Sequence, residues 1–411
     1  MQKFDVCVVG GGASGSVLAI LLAQKNVNVC VVDKFDAPAK KLLVTGNGKC
    51  NITNKNMSSK FYNQNIDDFL NKFGYEQTIK TFASFGLDVY ADEECRCYPA
   101  SNSAKTVQFV LINQFKKYDI DYFAEEVANI SFDRKQNAYV VKTVNQKIIA
   151  DKIVLACGIN NFSLDVCKKF DVDVVDCKPS LVALKTKQNT KALDGKRLSN
   201  VLVKATCGDE SRTEVGEVLF KSAGLSGICI FNLSAFFAKN KNFSGKIAIN
   251  LLKNCQKDDI FGKIYEKVNI FATVQELLES MFVKEIALEI LKQSGVEKNE
   301  LSAMLNKIDI EKIVDSITNL TFDVCGFYDN NQVVSGGVSL KQLSPNLESI
   351  KNRGMYFCGE ICDIDGICGG YNLQWAWTSA FVVSQSILNK WYITKLSIKK
   401  RSFERFLFVY T

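Results

Sequence analysis

The chain has 411 residues, 47% of them hydrophobic and 23% charged, and a net charge of +7, the profile of a soluble globular protein with room for two or three domains. It contains no histidine, which excludes Ser-His-Asp and Cys-His catalysis, histidine-ligated metal and any imidazole acid or base. Its 15 cysteines without a secretion signal point to the reducing cytoplasm, with most thiols as small buried hydrophobes; no run approaches the roughly 18 apolar residues of a membrane span.

The first stretch, FDVCVVGGGASGSVLAILLAQKNVNVCVVD from Phe4 to Asp33, organises the chain. Asp5 to Val9 reads as a strand buried on both faces. Gly10, Gly12 and Gly15 then form G-x-G-x-x-G: the first permits the turn, the second lets a pyrophosphate approach, the third lets helix and strand pack closely. A helix over 13–25 directs its free N–H groups and positive dipole end at the phosphates. A second strand, Val27 to Val32, ends in Asp33, 18 residues after Gly15, placed to accept from ribose hydroxyls and to repel a 2′-phosphate.

The next loop, residues 34–54, is dense in Lys, Gly, Asn and Thr. Lys34, Lys40, Lys41 and Lys49 can neutralise phosphates, and Gly46 and Gly48 allow close backbone approach; a solvated basic loop is the alternative. Residues 65–86 and 104–117 read as amphipathic helices. Between them Arg96 is a candidate anion contact or a surface arginine, and Cys95 and Cys97, one residue apart, suit neither a C-x-x-C redox pair nor a zinc knuckle. From Ile120 to Val154 the period changes to two, and three strands are expected: DYFAEEVANISF, AYVVKTV and KIIADKIVLACG. The last runs into the small turn Ala156-Cys157-Gly158.

Residues 180–325 break this rhythm. Four strands are expected in LVALKT, NVLVKATC, EVGEVLF and GKIAINLLK, and 258–317 reads as helical. This is an inserted domain entered near Pro179 and left near Phe322. No second G-x-G-x-x-G follows a strand in it, so a dedicated nicotinamide domain is not expected. The chain then returns to the first theme. Met355 to Cys358 is a strand, Gly359-Glu360 stands at its carboxyl end, and Gly369-Gly370-Tyr371-Asn372 opens a helix to about Leu388. Glu360 can bind a ribityl or ribose hydroxyl, and the helix N-terminus can stabilise negative charge on a reduced flavin. Two glycine-rich strand-to-helix turns at opposite ends of the chain suit the two ends of FAD. The tail from Trp391, with Lys395, Lys399, Lys400, Arg401 and Arg405, reads as a solvated basic helix, with RNA or membrane contact as the alternative; no specific nucleic-acid partner is expected, because the lysines are scattered among acids.

These segments resemble a bacterial family of FAD-binding oxidoreductases related to the bile-acid-inducible operon N flavoprotein, also labelled aminoacetone oxidase-type. The resemblance is carried by GGGASG at 10–15, KKLLVTGNGKCNITN at 40–54, LFKSAGLSG at 219–227, GGVSLKQLSPNLES at 336–349 and GEICDIDGICGGYNLQWAW at 359–377. It implies an α/β, Rossmann-like FAD domain of the two-dinucleotide type with a β-meander, residues 1–180 and 326–390, around a mixed β and helical insert at 181–325, followed by the tail 391–411. Carried over by position, the FAD contacts are Ser14, Asp33, Lys34, Lys41, Thr45, Gly46, Asn47, Gly48, Lys49, Cys50, Val127, Glu360, Asp365, Asn372 and Leu373; Gly10, Gly12, Gly15, Ala156, Gly158, Gly359 and Gly370 belong to the turns read above. The chain departs from the family pattern at Asp33 (more often Glu), at Lys49 (Arg, a planar fork that lysine lacks) and at Lys221-Ser222 (Thr-His).

The expected reaction is FAD-dependent hydride transfer from NAD(P)H to an electron-poor C=C or related small-molecule acceptor. An amine-type oxidase using O2 is the alternative, and a flavin-binding protein without turnover, using its basic tail on RNA or membrane, is the reading from another class. Candidates for proton delivery are Cys50, Asn51, Tyr371 and the Lys221-Ser222 pair, each with a structural role as its alternative, Cys50 most of all. No metal is expected.

Overall fold

The computed structural model describes residues 2–239, 245–329 and 333–409, and the chain divides into two compact units, residues 1–177 with 334–411 and residues 178–333. The first unit is built on a seven-stranded sheet. Strand Gln2–Val9 lies at its centre, parallel to Val29–Asp33 on one side and to Lys147–Leu155 on the other. Val6, Val8, Val29, Val31, Ile153 and Val154 are buried, as a parallel sheet covered on both faces requires.

The nine-residue strand Lys147–Leu155 joins two kinds of sheet. Its first half pairs antiparallel with Ala138–Thr143, while Ile153, Val154 and Leu155 pair in parallel with Met355–Phe357 from the far end of the chain. The meander expected from the sequence is present, but its first strand is two. Asp121–Ala124 joins the parallel sheet beside Val29–Asp33, and Val127–Asp133 opens the meander against Ala138–Thr143. The acid pair Glu125-Glu126 marks the break.

The helix expected over 65–86 is also divided, into Asp67–Lys72 and Tyr75–Ser84. The cause is tertiary: the Phe73 carbonyl accepts from Gln374 Nε2 (3.2 Å) and Thr378 Oγ1 (2.7 Å) of the terminal helix, and an oxygen committed outward cannot continue an intrahelical ladder. Helix Ala104–Lys117 forms as read. Between these helices Arg96–Pro99 is a strand, pairing with Thr53–Asn54 and Val89–Ala91. The Arg96 guanidinium bonds Asp92 (2.8 Å) and Glu94 (2.9 Å), two carboxylates of its own loop. The final helix, Tyr371–Val409, buries Trp375 and Trp377, whose indole N–H groups donate to Gly359 O and Ile52 O. Its backbone continues through the basic tail, but the side chains of Lys395, Lys399, Lys400, Arg401 and Arg405 lie outside the described residues. Among the described residues no helix is long and apolar enough to cross a membrane.

The second unit is a closed six-stranded barrel with its own core. In ladder order it comprises Leu184–Thr186, Gly224–Ser226, Glu210–Lys221, Arg197–Cys207, Gly245–Asn250 and Leu320–Phe327, the last pairing back to the first. Closure removes the exposed edges of a sheet. The helical stretch consists of Lys257–Tyr265, Val274–Glu279, Lys284–Ser294 and Lys307–Thr318, and packs its apolar side chains into the same core. The unit extends to Val333, past the 325 expected, because its closing strand continues to Phe327.

Phe322 is buried in that core, edge-on to Phe220 at 5.6 Å. Phe322→Ala is expected to cost about 3–5 kcal/mol, read from urea unfolding of the purified protein; a loss below about 1 kcal/mol would contradict its place in the core.

Candidate functional site

The carboxyl edge of the parallel sheet in the first unit gathers most of the sequence-derived residues, and its glycines report what each position can accommodate. At Gly10, with φ of +106°, a Cβ would stand 2.5 Å from the Cys157 backbone, so the turn and the neighbouring strand end fit only without a side chain. At Gly15 a Cβ would lie 1.9 Å from Gly10 O, which fixes the close approach of helix Ala13–Ala23 to the first strand. At Gly12 a Cβ meets nothing within 4 Å. The protein's own packing therefore leaves that position open, and the bare backbone there is compatible with the close approach of a phosphate.

Asp33, at the end of the second strand, accepts from Gly11 N (2.5 Å) through Oδ2 and from Phe35 N (2.9 Å) through Oδ1. Each carboxylate oxygen keeps a lone pair for a ribose hydroxyl, with its orientation set by two amides. Lys40, one of the lysines read as phosphate partners, pairs instead with Asp36 at 2.7 Å. Lys34 and Lys41 have no carboxylate partner among the described residues; Lys34 lies over the Phe35 ring at 5.6 Å. Residues 45–50 form a tightly wound loop in which Gly46, Asn47, Gly48 and Cys50 all have positive φ; Gly46, Asn47 and Lys49 are exposed.

The far end of the chain completes this edge. Glu360 is half-buried, and desolvation pushes its carboxyl above the ordinary range; the Val334 N–H and Lys41 pull it back, and Asp365 adds to the rise. Its Oε1 accepts from Val334 N at 3.1 Å. A Cβ at Gly158 would stand 2.9 Å from Glu360 Oε2 and 3.9 Å from Lys41 Nζ, so a carboxyl, an ammonium and a bare backbone converge there. Ser14 packs on Gly359, where a Cβ would stand 2.4 Å from Ser14 Oγ. Ala156 N donates to Val9 O, and Val127 heads the meander strand at a register shift. Asp365 accepts from Ser335 Oγ at 2.7 Å. The first-turn N–H groups of Tyr371, Asn372 and Leu373 open the final helix beyond Gly370, whose φ is +96°.

Residues 4–386 match the family described as HI0933-like protein Rossmann domain. The chain belongs to that family. It is 30% identical over 403 residues to the 3-dehydro-bile acid delta(4,6)-reductase of Clostridium scindens, a match covering 92% of this chain and 98% of that one. It is 24% identical over 417 residues to the ribosomal RNA dihydrouridine synthase of Escherichia coli, covering 94% and 99%. Among solved structures, the 3-ketosteroid-delta4-(5alpha)-dehydrogenase of Rhodococcus jostii RHA1 aligns with a TM-score of 0.45 at 11% identity, over 93% of this chain and 96% of that one. This HI0933-like protein is an FAD-dependent oxidoreductase with a Rossmann-like FAD-binding fold.

Two of the proton-delivery candidates have other employment in this HI0933-like protein. Cys50 is packed in the hydrophobic core, and burial pushes its thiol up to about 12. Asn51, with its amide oriented to suit its neighbours, donates to Thr53 O (3.0 Å) and Cys97 O (3.3 Å) and accepts from Gly370 N (3.1 Å); it clamps the loop to the helix turn. The Asn372 side chain is likewise spent, accepting from Gly366 N and donating to Gly366 O, so only its backbone can face a ligand. Tyr371 remains: its ring packs on Phe61 and Tyr62, its carbonyl accepts from Tyr62 Oη, and burial raises its phenol to about 12. Lys221 stands in the second unit, its ammonium 5.0 Å from the Tyr328 ring centre.

The sequence reading assigned nothing to Thr53, Asn54 and Gln374. Thr53 Oγ1 and Thr78 Oγ1 both donate to Gln374 Oε1, and Asn54 Nδ2 donates to Gly369 O. The adjacent TN and NLQ motifs were visible, but their mutual contact was not.

Gly12→Ala is expected to leave cofactor-free stability within about 0.5 kcal/mol while weakening FAD about tenfold or more; Gly15→Ala should lower stability itself. Flavin absorbance retained after gel filtration, with thermal unfolding of the apo-protein, checks both. Because burial raises the Glu360 pKa, the stability linked to its neutral form is complete below the ordinary carboxyl range and is lost as pH rises through the raised value. Glu360→Gln should flatten that part of the apo-protein's stability–pH curve, and curves of equal slope for the two proteins would count against it.

Proposed function

We propose that this protein is an NAD(P)H-dependent reductase that adds hydrogen across an electron-poor C=C of a small-molecule acceptor. The observation that carries the direction of the reaction is the full-length match to a delta(4,6)-reductase; the glycine cradle and the Glu360–Lys41 edge support the cofactor. In balance, NAD(P)H gives up a hydride and leaves as NAD(P)⁺, one acceptor carbon gains that hydride, and its neighbour gains a proton.

Bound FAD supplies the two-electron hydride chemistry. The chain's residues hold and polarise. Gly10, Gly12, Ser14 and Gly15 present the helix N-terminus to the pyrophosphate, with Lys34, Lys41 and the Thr45–Cys50 loop as the opposing wall. Asp33 takes the ribose, and the strand start at Val127 borders the adenine. Ala156 and Gly158 permit close approach, Gly359, Glu360 and Asp365 take ribityl hydroxyls, and beyond the Gly370 turn the amides of Tyr371, Asn372 and Leu373 bring the positive end of a helix to the flavin end. Tyr371 is the proton donor: it is a phenol that stays protonated well above neutral pH, on the element that opens at this edge.

The dihydrouridine synthase relatives favour a second reading, in which the acceptor C=C is that of uracil in ribosomal RNA. The reduction is the same in kind, and only the acceptor differs.

Anaerobic addition of NADH or NADPH to the FAD-loaded protein should bleach the flavin bands, and a conjugated enone should restore them; restoration by an unmodified rRNA transcript and not by enones would select the second reading. Persistence of the bands with both nucleotides, together with peroxide release from an amine, would replace the reductase by an oxidase. Tyr371→Phe should slow acceptor reduction about 100-fold or more while leaving the rate of anaerobic bleaching unchanged.

A further inference from the structure

In the first unit, residues 61–64 run beside the turn that precedes the final helix. Ile367 N donates to Phe61 O (3.0 Å), and Tyr62 pairs with Gly366 across an antiparallel bridge. Asn63 N donates to Asp365 O (2.9 Å), and Asp365 N donates back to Asn63 Oδ1 (3.1 Å). This pairing holds the Tyr62 ring edge-on to Tyr371, with centroids 6.0 Å apart, and brings its hydroxyl to the Tyr371 carbonyl at 2.7 Å. Tyr62 Oη also lies 3.3 Å from Met57 Sδ, but it has one proton to give, and a thioether is a weak acceptor. Tyr62 is half-buried, and desolvation pushes its phenol well above the ordinary range. Its hydroxyl therefore stays protonated, and stays a donor, at neutral pH.

The position of the acceptor gives this bond a second consequence. The Tyr371 C=O and the Asn372 N–H belong to one peptide unit, and that N–H, in the first turn of helix Tyr371–Val409, has no partner among the described residues. Just before it, the Gly370 N–H is taken by Asn51, and the Gly370 carbonyl accepts from Gln374 N. A hydrogen bond donated to a peptide oxygen draws electron density from its nitrogen, so the N–H of the same unit becomes a stronger donor. Tyr62 thus acts on the Asn372 N–H without touching it, at the end of a helix that already carries partial positive charge.

We propose that Tyr62 is a positioning residue of the flavin site: by donating to the Tyr371 carbonyl it fixes and polarises the Tyr371–Asn372 peptide, and so strengthens the positive potential offered to the negative charge of a reduced flavin. The inference rests on the reading above that brings this helix start to the flavin end, but not on the identity of the hydride donor or acceptor.

The test is the midpoint potential of FAD bound to the full chain, measured anaerobically against a reference dye with xanthine and xanthine oxidase as the reducing system. Tyr62→Phe keeps the ring and removes only the hydroxyl. Its potential should fall by about 14 mV, equivalent to an about threefold weaker preference for the two-electron reduced flavin. Sulfite is the second probe: its sulfur lone pair bonds to flavin N5, and the displaced ring electron pair leaves a negative charge at N1 and the C2 oxygen, the charge this helix start would hold. Its dissociation constant, read from bleaching of the flavin band, should rise about threefold in Tyr62→Phe. Should Tyr62→Phe fail to retain FAD, Tyr62→3-fluorotyrosine takes its place: a more acidic phenol donates more strongly, so both shifts should reverse in sign. A purely structural staple would lower the melting temperature or FAD affinity and leave potential and sulfite affinity unchanged; that result overturns the inference, as does 3-fluorotyrosine without effect. Absence of a sulfite adduct in the unaltered protein removes the helix start from the flavin, and the inference with it. Shifted potentials without bleaching by NADH or NADPH support the inference and end the reductase reading, whereas unshifted potentials with bleaching retained do the reverse.

Discussion

The geometry of the first unit depends on one close approach: helix Ala13–Ala23 lies so near strand Gln2–Val9 that no atom fits between Gly15 and Gly10 O. The strand needs that proximity because its valines are buried and require cover. The same contact fixes where the helix begins, and therefore where its unsatisfied N–H groups point. Gly10 repeats the constraint against Cys157, tying the turn to the carboxyl end of Lys147–Leu155. Packing thus dictates two of the three glycines and leaves the third, Gly12, with open space around it.

The far end of the chain joins this edge through polar contacts of long sequence separation. Met355–Phe357 is inserted beside Lys147–Leu155, and the helix after it is bonded to the 50–54 loop at three points, Asn51 to Gly370 N, Thr53 to Gln374 and Asn54 to Gly369 O. The Thr53–Gln374 bond is buried, where an unmade bond costs about 1–3 kcal/mol, and the other two are part-buried. The loop and the C-terminal motif therefore behave as one element. This is why their asparagines, which resemble ligand contacts when read singly, are largely spent on each other.

What the sequence made legible follows from which forces act locally. Glycine spacing, β-branched runs and the 104–117 amphipathic pattern are written within about twenty residues, and the structure has them where they were read. The breaks were not legible. Phe73 ends its helix because Gln374 and Thr378 claim its carbonyl, some 300 residues away, and DYFA separates from VANISF because its partner strand is Val29–Asp33, not the meander. The same holds for the site. The glycine spacing and the acid at the second strand's end were visible in the sequence, whereas the burial of Cys50 and the bonding of the Asn51 amide to Thr53, Cys97 and Gly370 were not.

The lack of histidine then has a structural counterpart. Burial raises the thiols of Cys50, Cys157 and Cys358 to about 11–12, so these cysteines stay protonated at neutral pH. Glu360 is displaced in the same direction, toward its neutral form. An edge whose thiols and carboxyl are held toward their neutral forms presents few mobile protons to a hydride-carrying cofactor. Among the candidates read from the sequence in this unit, the Tyr371 phenol is the one not committed elsewhere.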